Sequence, residues 1–356
     1  MKKTSYSIIG LMSGTSIDGL DICYSKYTYN GSWSFEIINA ETIPYEENWI
    51  ITLKNAINLP PIELAHVDVK YTELVASLVL NFISLNKIDN LDAICSHGHT
   101  VIHKPERGIT YQIGNLQLLS KITNYTCVCD FRTQDVLLGG QGAPLVPIGD
   151  QLLFSQYKYC INLGGFSNIS FLQSNNLLAF DICPLNIVLN HYSKKIGHDF
   201  DNLGLLSSSG QVLNDLLVKL NSLHYYHIDG PKSLGLEWVV ENFYRELDNH
   251  DYNPKDILRT VVEHAAIQIA KVLDKFGNDQ VLITGGGVKN TFFMNRLASY
   301  SSSKFIIPEP NIIDFKEALI FGFLGILKLR KENNCIKSVT GASKNHSSGK
   351  IYKIFK

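Results

Sequence analysis

The stretch Gly10-Leu-Met-Ser-Gly-Thr-Ser-Ile-Asp-Gly-Leu-Asp21 joins two apolar runs through a turn of small, hydroxylated residues. Ser7–Met12 reads as one strand and Leu20–Tyr27 as the next. Asn30-Gly31 then marks a hairpin into a third strand over Trp33–Ala40. In a tight Gly/Ser/Thr turn the backbone N–H groups can cradle phosphate oxygens. The hydroxyls of Ser13, Thr15 and Ser16 add donors, and Asp18 and Asp21 follow at once. Carboxylates so placed can hold a phosphate-bound Mg²⁺ through water. The alternative is an ordinary Ser/Asp-rich hairpin turn.

The theme returns in the second half. Tyr159–Leu163 reads as a strand, Gly164-Gly165 as a turn, and Ile169–Leu172 and Leu177–Asp181 as further strands. Helical spacing covers Pro61–Leu85, Asn186–Ile196, Ser208–Ser222, Leu236–Asp248, Pro254–Phe276, Asn290–Ser301 and Phe315–Lys331. A chain of 356 residues, at about 100–200 residues per domain, suits two domains. Two β-meanders, each followed by helices, predict two similar α/β lobes.

Composition narrows the function. Apolar residues make up 45% of the chain, enough for a sizeable core. The balance of 32 basic against 33 acidic side chains gives no footprint for a nucleic-acid partner. No stretch approaches the ~20 apolar residues that cross a bilayer, and Tyr6–Gly10 is too short for a signal peptide. The reading is a cytoplasmic protein without membrane contact. The seven cysteines lie mostly in apolar runs, which suits buried free thiols. Cys127 and Cys129 face one way on a strand, but no second pair completes a zinc site, so they read as core.

Other motifs carry chemistry. Ser96-His-Gly-His-Thr100 follows a strand over Leu91–Cys95, and His97 and His99 look like an H-x-H metal pair with His103 nearby. No third ligand is evident, which favours structural or substrate-contacting histidines. Thr126–Asp130 runs into Phe131-Arg132. The loop Leu138–Pro147, with three glycines and two prolines, then brings backbone close to a ligand. Arg132 and Asp135 beside it suit a carboxylate or sugar hydroxyls, or else a surface ion pair. Asn162 opens the second Gly turn. Asp181, in Phe180-Asp-Ile-Cys-Pro-Leu-Asn186, reads as a carboxylate at a strand end, either facing a cleft or capping a turn. Gly285-Gly286-Gly287 follows the strand Gln280–Thr284, and either lets a nucleotide lie on the backbone or makes a tight turn. Glu317 stands at the start of the last helix, where the dipole favours an acid.

Taken in order, these motifs resemble the anhydro-N-acetylmuramic acid kinases. The matching stretches are GLMSGTSIDGLD, SHGHT, YQIGN at Tyr111–Asn115, DFRTQDVLLGGQGAPLVP, INLGGFSNIS, DNLG at Asp201–Gly204, GPKSLGLEWV at Gly230–Val239, LITGGGVKN, EALIFG at Glu317–Gly322 and VTGAS at Val339–Ser343. The resemblance implies two actin-like, ribonuclease H-like lobes with a cleft between them, in the hexokinase, heat-shock ATPase and actin superfamily. Residues 1–155 would form the first lobe, with 316–356 packing back on it, and 156–315 the second. It implies ATP with Mg²⁺ as cofactors and a sugar substrate whose 1,6-anhydro bridge is opened by water while O6 is phosphorylated. Gly14, Thr15, Ser16, Ile17, Asp18, Gly19, Leu20 and Asp21 would embrace the phosphates, with Asp18 near the magnesium. Gly164, Gly165, Gly285, Gly286 and Gly287 would lie against the nucleotide. Asp181 would be the base, and Arg132, Asn162, Glu317 and His97 would hold the sugar. A homodimer is compatible with this reading.

The chain departs from the family pattern in places. FDTGPGN is here Phe180-Asp-Ile-Cys-Pro-Leu-Asn186, so Ile182, Cys183 and Leu185 replace a Thr and two glycines. Where such glycines approach a ligand, their loss narrows the site. The Arg of PKSTGRE is Leu236, and Gly149-Asp150 stands where a histidine pair is usual. These changes keep two alternatives open: a kinase of the same fold for another sugar, or a catalytically weak sugar- and ATP-binding relative.

Overall fold

In the computed structural model, described over residues 2–14, 16–248 and 250–354, the chain divides into two units. One comprises Met1–Leu153 and Phe315–Lys356, the other Phe154–Asp314. The strands, in chain order, are β1 Ser5–Ser13, β2 Gly19–Tyr29, β3 Trp33–Pro44, β4 Ala93–Lys104, β5 Ile109–Ile113 and β6 Cys127–Cys129. They continue with β7 Tyr159–Leu163, β8 Phe166–Gln173, β9 Asn176–Pro184, β10 Gln280–Thr284, β11 Lys304–Ile306 and β12 Lys350–Tyr352.

The first unit's sheet runs β12-β6-β4-β1-β2-β3, with β5 paired to β4. The meander β1-β2-β3 is antiparallel, and β4 and β6 join it in parallel. The second unit's sheet, β11-β10-β7-β8-β9, repeats this plan: an antiparallel meander with two parallel strands added beside its first strand. The repeated topology matches the two similar α/β lobes expected from the doubled meander, and parallel additions of this kind need helical crossovers. Those crossovers include the Pro61–Leu85 and Pro254–Phe276 helices.

In the first unit the Pro310–Leu329 helix, from Phe315 on, packs on the sheet at very short range. A Cβ on Gly10 would sit 1.9 Å from the carbonyl oxygen of Ala318, so only glycine lets strand and helix approach this closely. The second unit's core gathers the meander strands around the Pro254–Phe276 helix through Ile161, Phe171, Val262 and Ile269.

Several expected boundaries moved. SHGHT lies inside β4 rather than beyond its end, because β4 runs on to pair with β5. Asp181 lies inside β9, which continues to Pro184. The helix expected over Ser208–Ser222 is confined to Asn214–Asn221, since Gly210 packs against the Lys255 carbonyl and breaks it. The Pro310–Leu329 helix begins five residues earlier than expected, from a proline suited to a helix start. Glu317 is therefore about two turns in, beyond the first turn where the helix dipole favours an acid.

Candidate active site

The loop after β1 is held from below. Ser13 and His99 are buried, and β1 and β4 set them side by side in register. The Tyr45 hydroxyl donates to Ser13 Oγ at 2.8 Å, Tyr71 Oη lies 2.6 Å from Tyr45 Oη, and Ser13 Oγ lies 3.0 Å from His99 Nδ1. Tyr45 has one proton, so Tyr71 donates to it. Burial pushes the His99 pKa down to about 4, which keeps the ring neutral at pH 7. Ser16 and Asp18 are exposed, and Ser16 Oγ donates to Asp18 Oδ1 at 2.8 Å. Thr42 Oγ1 donates to Asp21 Oδ1 at 2.6 Å. Ile17 takes a left-handed φ of 56°. Leu20 is buried, so only its backbone can serve a ligand, and Gly19 lies against the Ile43 carbonyl. Thr15 lies outside the described residues.

A second cluster of the same unit centres on Arg132. Its Nε–H donates to His97 Nε2 at 2.8 Å, and Nη1 donates to the Gly142 carbonyl at 2.6 Å. His97 is buried, and its Nδ1 donates to the Gly98 carbonyl at 2.9 Å. Both ring nitrogens are therefore engaged within the protein. The histidine expected on the sugar supports the arginine. Burial and the neighbouring guanidinium hold the His97 pKa well below the usual imidazole value. Glu317 is solvent-accessible, yet the surrounding protein raises its carboxyl pKa, opposed by Lys316 and Arg132. Phe321, one turn on from Glu317, packs against His97 with tilted rings whose centroids are 4.6 Å apart. The YQIGN segment braces this cluster: Tyr111 Oη and the Gly114 N–H each donate to buried Asp68 at 2.7 Å, and Asn115 Nδ2 donates to the His97 carbonyl at 3.1 Å. Asp135 is fully buried, neither on the surface nor free for a sugar. It accepts the Gly142 N–H at 2.7 Å and the Thr340 hydroxyl at 2.7 Å.

In the second unit the glycine turns meet around Asn162. Gly285 takes φ +86°, and a Cβ there would lie 2.6 Å from Asn162 Oδ1. A Cβ on Gly287 would strike Leu163, one on Gly164 would lie 3.1 Å from Asn162 Nδ2, and Gly286 faces open space. The start of the Asn186–Lys195 helix closes over the first turn: the Leu185 and Ile187 N–H groups donate to the Gly165 carbonyl at 2.8 and 3.1 Å. Asp181 sits on β9 beside a bulge at Ile182. Its Oδ2 accepts the Leu234 N–H at 2.8 Å, its N–H donates to the Lys232 carbonyl at 3.0 Å, and its carbonyl accepts the Tyr225 hydroxyl at 2.6 Å. Oδ1 takes no hydrogen bond among the described residues. Burial raises the carboxyl pKa, and the Leu234 N–H opposes it. The sequence alone marked Lys232–Leu234 as a motif; its work here is to fix the Asp181 carboxylate.

The model of the anhydro-N-acetylmuramic acid kinase family matches residues 6–354.

The chain belongs to that family.

The anhydro-N-acetylmuramic acid kinase of Pseudomonas syringae pv. syringae (strain B728a) is 33% identical over 97% of this chain and 98% of its own length. That of Coxiella burnetii (strain Dugway 5J108-111) is 32% identical over 99% and 98%. Among solved structures, a ROK family glucokinase from Streptomyces griseus aligns with a TM-score of 0.42 at 10% identity, over 89% of this chain and 98% of that one. Against the family pattern, the departures have a structural location. Ile182, Cys183 and Leu185 are all buried in the second unit's core. A bulge lets the consecutive residues Ile182 and Cys183 both turn inward. Gly149 packs against Ile320, and Asp150 pairs with Lys316 at 3.1 Å inside the first unit. Leu236 is exposed.

Proposed function

We propose that this chain opens the anhydro bridge of 1,6-anhydro-N-acetylmuramic acid with water and transfers the γ-phosphoryl group of ATP to O6. The product is N-acetylmuramic acid 6-phosphate, in the recycling of cell-wall fragments within the cytoplasm. The observation that carries the reading is Asp181: one carboxylate oxygen pinned by a backbone N–H, the other open, and a raised proton affinity. A base so held can take a proton from water as it attacks the anomeric carbon. The C1–O6 bond breaks, and O6 acquires the phosphoryl group in place of a proton, so no second carboxyl is required as acid.

Arg132 spends Nε and Nη1 on His97 and Gly142, and Nη2 has no protein partner among the described residues. That nitrogen suits the carboxylate or a hydroxyl of the sugar, with Glu317 and Asn162 as further contacts. The backbone from Gly14 to Asp21, Thr15 included, would hold the phosphates, and the glycines at 164, 165 and 285–287 the rest of the nucleotide. The exposed Asp18 carboxylate fits a hydrated Mg²⁺, since one oxygen is tied to Ser16 and the other is not. Magnesium, when bound, neutralises phosphate charge. The protein's own share is positioning.

The test is incubation with ATP, Mg²⁺ and the anhydro sugar in ¹⁸O-water. The expected product is the 6-phosphate carrying ¹⁸O at C1. Absence of phosphorylated product at high enzyme concentration, with nucleotide still bound, would overturn the assignment. Product from open-chain or hemiacetal hexoses alone would move it to another sugar.

A further inference from the structure

Asp135, distant in sequence from Cys335 and His346, converges with them inside the first unit. Cys335 and His346 are backbone partners: each N–H donates to the other's carbonyl at 3.1 Å, which sets their side chains together. Asp135 comes from the short Thr133–Leu137 helix that follows Arg132. All three side chains are buried, and Asp135 Oδ, Cys335 Sγ and a His346 ring nitrogen lie within 4.8 Å of one another.

The hydrogen bonding leaves a specific gap. His346 Nδ1 lies 3.1 Å from the Lys344 carbonyl, an acceptor, so Nδ1 carries a proton. Nε2 is buried with no hydrogen-bond partner. It stands 3.5 Å from Asp135 Oδ1, too far for the charge-assisted contact of about 2.7–2.9 Å that an imidazolium and a carboxylate would make. In the neutral ring, two lone pairs face each other across that distance. A cation between them resolves the conflict. Metal–ligand bonds of about 2.0–2.3 Å put tetrahedral ligands about 3.3–3.8 Å apart, and 3.5 Å falls inside that range.

The surroundings also match a metal centre. A ligating histidine characteristically donates its other N–H to a carbonyl, as His346 does. The carboxylate is oriented by the Thr340 hydroxyl on Oδ1 and the Gly142 N–H on Oδ2. Thiolate, imidazole and carboxylate together suit zinc. Arg132 is electrostatically coupled to both Asp135 and Cys335. Zinc entering as the thiol proton leaves adds one positive charge beside it, and the Cys335 thiolate and Asp135 carboxylate together balance the ion's two charges. Residues 343–345, which precede His346 in the chain, are exposed.

We propose that Asp135, Cys335 and His346 bind a zinc ion that clips the C-terminal segment to the short helix that follows Arg132. Binding replaces the Cys335 S–H bond with a sulfur–zinc bond, and the proton leaves to solvent. The three side chains leave the fourth tetrahedral position to water, and the site is separate from phosphoryl transfer.

The full chain, stripped with a chelator and titrated with Co²⁺, tests this. One equivalent should give a thiolate-to-cobalt charge-transfer band that is lost in Cys335→Ser and weakened in His346→Gln. Zn²⁺ at micromolar concentration should raise the melting temperature by several degrees. The absence of both the band and the thermal shift in the wild-type chain overturns the proposal and leaves His346 as a buried partner of Asp135. A band that persists in Cys335→Ser overturns it too, since another thiol would then be the ligand. Should either variant fail to fold, the wild-type titration and melting curves still decide.

Discussion

Arg132 Nε donates to His97 Nε2 across 2.8 Å, and this bond settles the state of the whole imidazole. Nδ1 already donates to the Gly98 carbonyl. The ring must therefore be neutral, with its one proton on Nδ1. Protonation of Nε2 would put a second cation against the guanidinium. His97→Ala should cost about 10–100-fold in kcat/KM for the sugar, the equivalent of one hydrogen bond to a charged group at about 1.5–3 kcal/mol. His97→Gln, which keeps an acceptor, should recover part of it. Because the His97 pKa lies well below the usual value, the wild-type profile should show no loss from this group near pH 6.5. Equal kcat/KM for His97→Ala and wild type would remove the positioning role.

For Asp181 the expectation is a separation of binding from turnover. Asp181→Asn keeps an oxygen for the Leu234 N–H, so the β9 bulge should survive. Turnover should fall by about 10²–10⁴-fold, the usual share of a positioned base, while ATP affinity by calorimetry stays near wild type. The raised pKa places the acid limb of kcat/KM above the ordinary aspartate range, with activity rising as pH rises through it. The same limb in Asp181→Asn would assign it to another group.

Ile182, Cys183 and Leu185 should behave as core and not as site. Leu185 is 1% exposed and Cys183 0%. Leu185→Gly should lower stability by about 2–5 kcal/mol through the cavity and the backbone freedom it adds. Cys183→Ala should cost less, and KM for the sugar should stay within about twofold in Cys183→Ala. Denaturant melts and steady-state kinetics on the same preparations check both. A large KM change at unaltered stability would put these residues back in the site.

How far the sequence could be read follows from what each residue does. The doubled meander was legible because small-residue turns between apolar runs are local signals. The strand at Tyr159–Leu163 and the helix at Pro254–Phe276 match the structure to the residue. Short strands β5 and β12 were not, because Ile109–Ile113 and Lys350–Tyr352 owe their state to partners on β4 and β6. The site residues were visible as motifs, but their roles were not. Gly-Pro-Lys-Ser-Leu at 230–234 and Tyr-Gln-Ile-Gly-Asn at 111–115 proved to be braces for Asp181 and His97, and no spacing rule reveals that. Asp135 read as a contact for a carboxylate or sugar hydroxyls, or else a surface ion pair, because nothing local announces Cys335 and His346 two hundred residues later.

Stability should fall with acid through buried neutral histidines. His264 is fully buried; it accepts from the Tyr226 hydroxyl, donates to Asn221 Oδ1, and has its pKa pushed down to about 3 by burial. His99 is held at about 4. The unfolded histidines take a proton near pH 6.5 and the folded ones do not. Each therefore contributes stability that is complete above about 6.5 and is lost, at up to about 1.4 kcal/mol per pH unit, as pH falls toward the folded value. The raised carboxylates Asp68 and Asp181 act in the opposite sense, so a comparison isolates the histidine. His264→Gln should melt lower than wild type at pH 7.5 but lose less between pH 6.5 and 5. Parallel curves would show that His264 does not carry the linkage.

The triple glycine offers a paired test of structure against ligand contact. Gly285 takes φ +86°, and its Cβ would meet Asn162 Oδ1 at 2.6 Å and the Leu163 backbone at 2.9 Å. Gly285→Ala therefore combines a left-handed backbone with a backbone clash and should cost about 2–4 kcal/mol, or prevent folding. Gly286 has nothing within 4 Å of where its Cβ would stand. Gly286→Ala should leave the melting temperature of the free protein unchanged to within about 1 °C, since a substitution into open space creates neither cavity nor strain. If the nucleotide lies against this backbone, the same methyl must weaken ATP binding, by about tenfold for a displacement worth about 1.4 kcal/mol. Calorimetric titration with ATP, beside a melt without it, separates the two. Unchanged ATP affinity in a stable Gly286→Ala protein would move the nucleotide off Gly286 and leave the turn a role only in joining β10 to the helix that follows.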